Sequence, residues 1–401
     1  MGELRAVVRD GAEQPAVRAL VDDLRRGSTD AFVSQSMRAF VLGSLFEAVH
    51  ERPALVVVAD DRAAANLAAD LRALLAPRLV RLLPARGVRY ESHLAPPPHL
   101  VGLRVAAVDA LIDSPAGEQP VVVASVQALA EKLPDPELRP RGFVIERGEL
   151  LDLDECVAQL VELGYERVEQ VEDRGQFAVR GDILDIYPAT EERAVRCELF
   201  DIEIERLAWF STFTQRTLAE AERVEIAPVS ELAREHRERA ELAAHAEDER
   251  PEIAELLPVD RFRRLLDFVP SEAIVAVVDR DEVRTSLSEL WDEVEAIFGG
   301  RDASHLYVEP SELERDLDAR VALRLSSVAS GQAHELRAQA AVPVARDLHQ
   351  AEAELEKLVR SGYRVVVAWS RRGELERALL NLERVRAREI GDDLGPGAAV
   401  L

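Results

Sequence analysis

Gly175-Gln176-Phe177-Ala178-Val179-Arg180-Gly181-Asp182-Ile183-Leu184-Asp185-Ile186-Tyr187-Pro188 is the stretch from which the fold is read outward. Gln176 to Arg180 and Ile183 to Tyr187 have strand composition, and Gly181-Asp182 between them supplies turn residues. Gly181 and Pro188 serve turn geometry; Ile183, Leu184 and Ile186 are read as core. Asp173-Arg174-Gly175 and Pro188-Ala189-Thr190 mark turns on either side. Further strands are expected at Arg167 to Val171, Ala194 to Phe200 and Ile204 to Phe210. A helix is expected from Leu150 to Leu163, with Asp152 or Asp154 suiting its first turn and Gly164 its stop. Residues 146–232 thus read as a small antiparallel α+β module.

The flanking sequence has a different rhythm. Ala54 to Asp60 is a continuous apolar run ending in acid, the pattern of a buried parallel strand. Arg62 to Ala76 follows with helical spacing, then a strand at Val80 to Leu83. Pro96-Pro97-Pro98 precedes a helix, Leu100 to Ile112; Pro120 to Ser125 is another buried strand, and Val126 to Leu133 a short helix. Residues 1–145 therefore read as the first part of an α/β domain. The rhythm returns over residues 233–343. A charged helix is expected at Leu232 to Ala246, a short one at Arg261 to Phe268, a buried strand at Ile274 to Asp279, and a helix at Asp281 to Ile297. These strands are expected to complete one parallel-sheet domain split by the module. Residues 344–401 read as a partial α/β segment: helix Asp347 to Arg360, strand Arg364 to Trp369, helix Glu374 to Arg384.

The chain has 75 acidic and 50 Lys+Arg side chains, a formal charge of −25. That field repels phosphate backbone, which argues against non-specific nucleic-acid binding over the whole surface. No apolar run reaches the length of a membrane span, about 18 residues. Met1-Gly2-Glu3-Leu4-Arg5 is no signal-peptide apolar segment, so a cytoplasmic location is expected. Cys156 and Cys197 are expected as buried thiols rather than a disulfide.

Several chemistries lack their residues. Only Lys132 and Lys357 are lysines, and neither follows glycine, so a P-loop has no phosphate-binding lysine. Gly395-Pro396-Gly397 is a weak match to a dinucleotide loop, with no strand before it. There is no C-x-x-C, H-E-x-x-H or G-x-S-x-G; His93 and His99 have no obvious partner ligands, and Asp392-Asp393 reads as a solvated turn. No catalytic residue, cofactor or metal is assigned to the chain.

The quoted run, with Tyr165-Glu166-Arg167-Val168 before it and Arg196-Cys197-Glu198-Leu199-Phe200 and Thr214-Gln215-Arg216 after it, resembles the second domain shared by the excision-repair protein UvrB and the transcription-repair coupling factors. The likeness extends over about residues 30–390. Ser34-Gln35-Ser36-Met37-Arg38 stands where UvrB has its P-loop, without glycine or lysine. Only Tyr90 lies where UvrB has a tyrosine-rich DNA-clamping hairpin. Both departures favour the N-terminal, UvrB-like region of a coupling factor. The resemblance implies a degenerate NTPase-like parallel-sheet domain and a module that docks UvrA. It places the docking role on Arg180, Arg196 and Phe200. Arginine gives forked hydrogen bonds to carboxylates, and an aromatic beside it is the usual composition of a binding hot spot. The plainer alternatives are an ion pair of either arginine with Asp182 or Glu198, and a core position for Phe200.

The resemblance also implies that RNA polymerase, duplex DNA and ATP belong to further domains of the family, which this chain does not contain. The chain is then expected to be an N-terminal part or a truncated product, monomeric and without ATPase activity. Two other readings stand beside it. One is an α/β enzyme for a small molecule or nucleotide, with Asp60 and Asp279 at strand ends as its candidates. The other is a UvrB-like clamp on damaged DNA.

Overall fold

A parallel strand covered on both faces is apolar at every position, and the structure, a computed structural model, uses the sequence that way. Ala54–Val58, Val121–Ser125 and Ile274–Val278 are strands buried at every residue. Their alternate side chains divide between two cores. Leu55, Val57, Val122, Ala124, Val275 and Val277 point into one; Val56, Val58, Val121, Val123, Ala276 and Val278 point into the other. At roughly 1.5–3 kcal/mol per buried valine or leucine, these strands anchor the body of the molecule. The structure describes residues 4–92, 94–113, 117, 119–234, 236, 256–329, 331–339, 348–368, 372–382, 384–385, 387–389 and 398–400.

The body is one seven-stranded sheet in the order His334–Leu336, Thr29–Val33, Val321–Ser326, Ile274–Val278, Ala54–Val58, Val121–Ser125, Val80–Leu83. Every pairing in it is parallel. Thr29–Val33 pairs only with strands from the second part of the sequence, so neither part forms the sheet alone. The expected split domain is present, and the module occupies the break. It leaves and returns through two paired antiparallel strands, Phe143–Glu146 and Arg223–Ile226.

The module itself is a six-stranded sheet of Glu166–Arg167, Gln176–Arg180, Ile183–Ile186, Ala194–Phe200, Glu203–Phe210 and Thr217–Glu220. All pairs are antiparallel except the first. The helix Leu153–Glu162 packs on one face, where Leu160, Phe177, Leu184, Val195, Cys197 and Leu207 form the core. Asp152 starts that helix as its N-cap, its carboxylate accepting from Glu155 N–H, and Gly164 stops it in a left-handed conformation.

The module is held against the body by close contact and by buried charge. A Cβ on Gly102, in the helix Pro98–Ile112, would stand 2.3 Å from Cβ of Ala189, so only glycine allows that helix to reach the 188–190 turn. Arg104, fully buried, donates to Glu131 (2.8 Å) and to Glu231 on the returning segment (2.6 Å). Burial pushes the Glu131 carboxyl up despite Arg104; at Glu231 the same burial is outweighed by Arg104 and Arg86, and the carboxyl lies below its usual range.

Some elements differ from the sequence reading. Residues 5–26 form two helices, Arg5–Ala12 and Pro15–Arg26, to which no elements were assigned. The expected helix from Arg261 to Phe268 is helical only at Leu265–Phe268; Phe262–Arg263 instead pairs with Leu133–Pro134, which also shortens the helix after Val126 to Val126–Ala130. The strand at Arg167 to Val171 is reduced to Glu166–Arg167. The C-terminal segment holds helices Leu348–Arg360 and Arg372–Asn381 and a small parallel sheet ordered Val365–Val367, Ala398–Val400, Arg388–Glu389. The charged helix expected from Leu232 to Ala246 lies almost wholly outside the described residues, as do His93, Asp392-Asp393 and Gly395-Pro396-Gly397. Both cysteines are free and buried, and burial pushes the Cys156 thiol up to about 12.

Candidate protein-docking site

Residues paired across neighbouring strands share a face of the sheet, so the register decides which module residues meet. Ala178 pairs with Asp185, Asp185 with Arg196, and Arg196 with Ala208. One row further, Arg180 pairs with Ile183, Ile183 with Glu198, and Glu198 with Arg206. Both rows lie on the face opposite the helix-covered core. At the far end of the same face, Phe200 pairs with Glu203.

Asp185 organises this outer face. Its carboxylate is 1% exposed and accepts from Arg196 through a fork, Nε to Oδ1 at 2.6 Å and Nη2 to Oδ2 at 2.8 Å. Arg180 Nη2 donates to the same Oδ2. Arg196 also donates to Gln215 Oε1 at 3.1 Å and lies 4.6 Å from the ring centroid of Phe210. Gln215 is held in a left-handed conformation with its Nε2 donating to Thr212 O at 2.7 Å, which is how the Thr214-Gln215-Arg216 turn reaches the arginine. Hydrogen bonding to Asp185 raises the Arg196 pKa against the opposing effect of burial.

The trio is two cations on one anion. The Arg196 side chain is 20% exposed and that of Arg180 is 46% exposed. The expected ion pair is therefore present for both arginines, but its partner is Asp185 rather than Asp182 or Glu198. Glu198 pairs with Arg206 instead, at 3.1 Å. A core position for Phe200 is excluded, since it is 74% exposed. Ile183, read as core, is a half-buried residue of the outer face, because it pairs with Arg180 and Glu198 rather than joining the core of Leu184 and Ile186. Asp185 and Gln215 lie in the motifs quoted from the sequence but were given no role there, and Phe210 was read only as a strand end. Beside those motifs, the signal for Asp185 was a carboxylate set among Ile183, Leu184 and Ile186.

Asp60 and Asp279 do converge, on a cleft of about 520 Å³ at the ends of the parallel strands. Their carboxylates are engaged there. Asp60 caps the helix Asp61–Leu75, accepting from Ala63 N–H at 2.8 Å. Asp279, at positive φ, accepts from Ser327 N–H at 2.7 Å and from Arg38. Arg38 opens the helix after the Ser34–Met37 loop, so its guanidinium is drawn across that strand end. Asp70 and Glu282 also line the cleft, which leaves carboxylates in excess over Arg38 and Arg62. Tyr90 is turned inward, its hydroxyl donating to Lys132 O at 2.7 Å and its ring edge-on to Tyr307. Among the described residues no group of His, Cys, Asp and Glu is placed to hold a metal. None of their helices is long and apolar enough to cross a membrane.

Fold and face together define an NTPase-like α/β body interrupted by an antiparallel module that presents an organised outer face. Residues 143–232 match the UvrB interaction domain. The chain is 31% identical over 224 residues to the transcription-repair-coupling factor of Bacillus subtilis, covering 55% of this chain and 19% of that protein. It is 34% identical over 261 residues to the same factor of Myxococcus xanthus, covering 62% of this chain and 21% of that one. With the UvrABC system protein B of Legionella pneumophila it shares 30% identity over 236 residues, 54% of this chain and 35% of the relative. The matches thus span between a fifth and about a third of these relatives. The chain carries a UvrB interaction domain and is related to the UvrB-like N-terminal region of transcription-repair-coupling factors (Mfd).

Proposed function

We propose that this chain is the UvrA-recruiting part of a transcription-repair coupling factor in nucleotide excision repair, and that it docks UvrA through the outer face of its module. One observation carries the reading: two arginines share a single buried carboxylate on a sheet face that ends in an exposed phenylalanine. Asp185 neutralises only one of the two charges. Arg180, the more exposed, retains donors to offer a carboxylate of the partner, and Arg196 holds the cluster in register. Phe200 supplies the aromatic anchor.

In this reading the chain takes no cofactor and does not hydrolyse ATP. The loop Ser34–Met37 has no glycine or lysine, and the adjacent cleft is acidic where phosphates would need cations. RNA polymerase and duplex DNA are contacted by other parts of the family's proteins. The chain itself acts in the cytoplasm as a monomer.

The test is a titration of the 401-residue chain with purified UvrA, beside the Arg180→Ala/Arg196→Ala double variant. Loss of two hot-spot contacts is expected to cost roughly 2–4 kcal/mol, about thirty- to a thousandfold in affinity. A folded double variant that binds like the wild type would overturn the assignment of the face. A wild type that does not bind would overturn the function.

A further inference from the structure

Exposed apolar side chains are ordinary when scattered and informative when contiguous. Three of the five large apolar side chains exposed in the module meet at one end of it. The Glu203–Phe210 strand begins beside Phe200, with Asp201 and Ile202 forming the turn between. On its other side Glu203 bridges Leu150, and Leu151 N–H donates to Ile202 O at 2.7 Å. Leu150, Glu203 and Phe200 are therefore one row across the sheet, with Ile202 at its corner. Leu150 is 71% exposed, Phe200 74% and Ile202 46%. The row continues the face of Arg180 and Arg196, one register step beyond Arg180 and Ile183.

The charges around this row are opposite in sign to the arginine cluster. Glu203, exposed, stands within the row between Phe200 and Leu150, and Glu149 and Asp201 are exposed at its edge. The face is thus bipolar: arginines at one end, apolar side chains interleaved with and flanked by acids at the other. We infer that Leu150 and Ile202, with Phe200, form the anchoring half of the docking surface, and that they enter an apolar recess on UvrA rimmed by lysine or arginine. The inference rests on the proposed UvrA docking and extends it to residues and a partner chemistry which that reading does not assign. Apolar side chains buried in a partner supply affinity, and complementary charge beside them supplies orientation.

The experiment measures UvrA affinity of the full chain carrying Leu150→Ala, Ile202→Ala or Glu203→Lys, with sedimentation of each variant alone. Val328→Ala, an exposed apolar residue of the body (69% exposed), is the control. Leu150→Ala is expected to weaken binding about five- to tenfold and Ile202→Ala about threefold, through slower-packed, faster-dissociating complexes. Glu203→Lys is expected to weaken it about tenfold, less so at high salt. Val328→Ala changes nothing. If Arg180→Ala/Arg196→Ala loses binding while Leu150→Ala and Ile202→Ala do not, the docking reading survives and this inference fails. If the variants alter self-association instead of UvrA affinity, the row is a contact between copies of this chain and the inference also fails. A wild type without UvrA affinity overturns both.

Discussion

The body and the module each set arginine on aspartate, and the two clusters differ in their proportions. At the strand ends one arginine, Arg38, meets one aspartate, Asp279, whose other oxygen is taken by Ser327 N–H. The pair neutralises itself, and the cleft around it holds further carboxylates. On the module face two arginines meet one aspartate. The surplus charge stays at the surface on Arg180. A buried acid with a matched cation is neutralised; the same acid with two cations leaves one charge over. The place where a parallel sheet usually binds its ligand holds a self-neutralised pair in an acidic cleft, and the proposed recognition lies on the inserted module instead.

The comparison can be broken at several points. Asp185→Ala leaves two arginines without their carboxylate and is expected to cost about 3 kcal/mol of stability in urea unfolding, with loss of UvrA binding. Asp279→Asn, which keeps a residue tolerant of positive φ, is expected to cost only about 1 kcal/mol and to leave UvrA affinity unchanged. Equal costs, or an effect of Asp279→Asn on docking, would erase the distinction between the clusters. Between these two in size, Gly102→Val forces side-chain atoms into Ala189 and is expected to cost about 2 kcal/mol; UvrA affinity of the folded fraction is unchanged if the face is organised within the module. Asp60→Ala removes a helix cap for about 1 kcal/mol or less, read as a lowered Tm with docking intact. Smallest of all, millimolar ATP is expected to leave Tm unmoved. A clear rise would mean that the strand-end cleft still binds nucleotide.

The parallel strands were legible because a strand buried on both faces is apolar at every position, as in Ala54-Leu55-Val56-Val57-Val58. The module was legible from its turns, Gly181-Asp182 above all. The first strand of the body was not: Thr29–Val33 contains Asp30, and its partners lie almost three hundred residues later. Of the helices before it, Arg5–Ala12 was obscured by charge on its buried face, where Arg5 is paired with Glu47 at 2.9 Å, whereas Pro15–Arg26 buries Val17, Leu20, Val21 and Leu24 at helical spacing and was legible but passed over. At the candidate site, Arg180, Arg196 and Phe200 could be placed by motif. Asp185 could not be recognised as the common partner of the two arginines, because that depends on the register of three strands. Nor could sequence distinguish the outward Ile183 and Ile202 from the inward Leu184 and Ile204; alternation gives two faces without saying which is covered.

The most direct measurement is photo-crosslinking of the chain to UvrA from a reactive residue placed either at Phe200 on the module face or at Arg62 on the rim of the strand-end cleft. Crosslinks from position 200 alone, lost when Arg180 and Arg196 are both alanine, are the predicted result. Crosslinks from position 62 and none from position 200 would contradict the claim that recognition lies on the module.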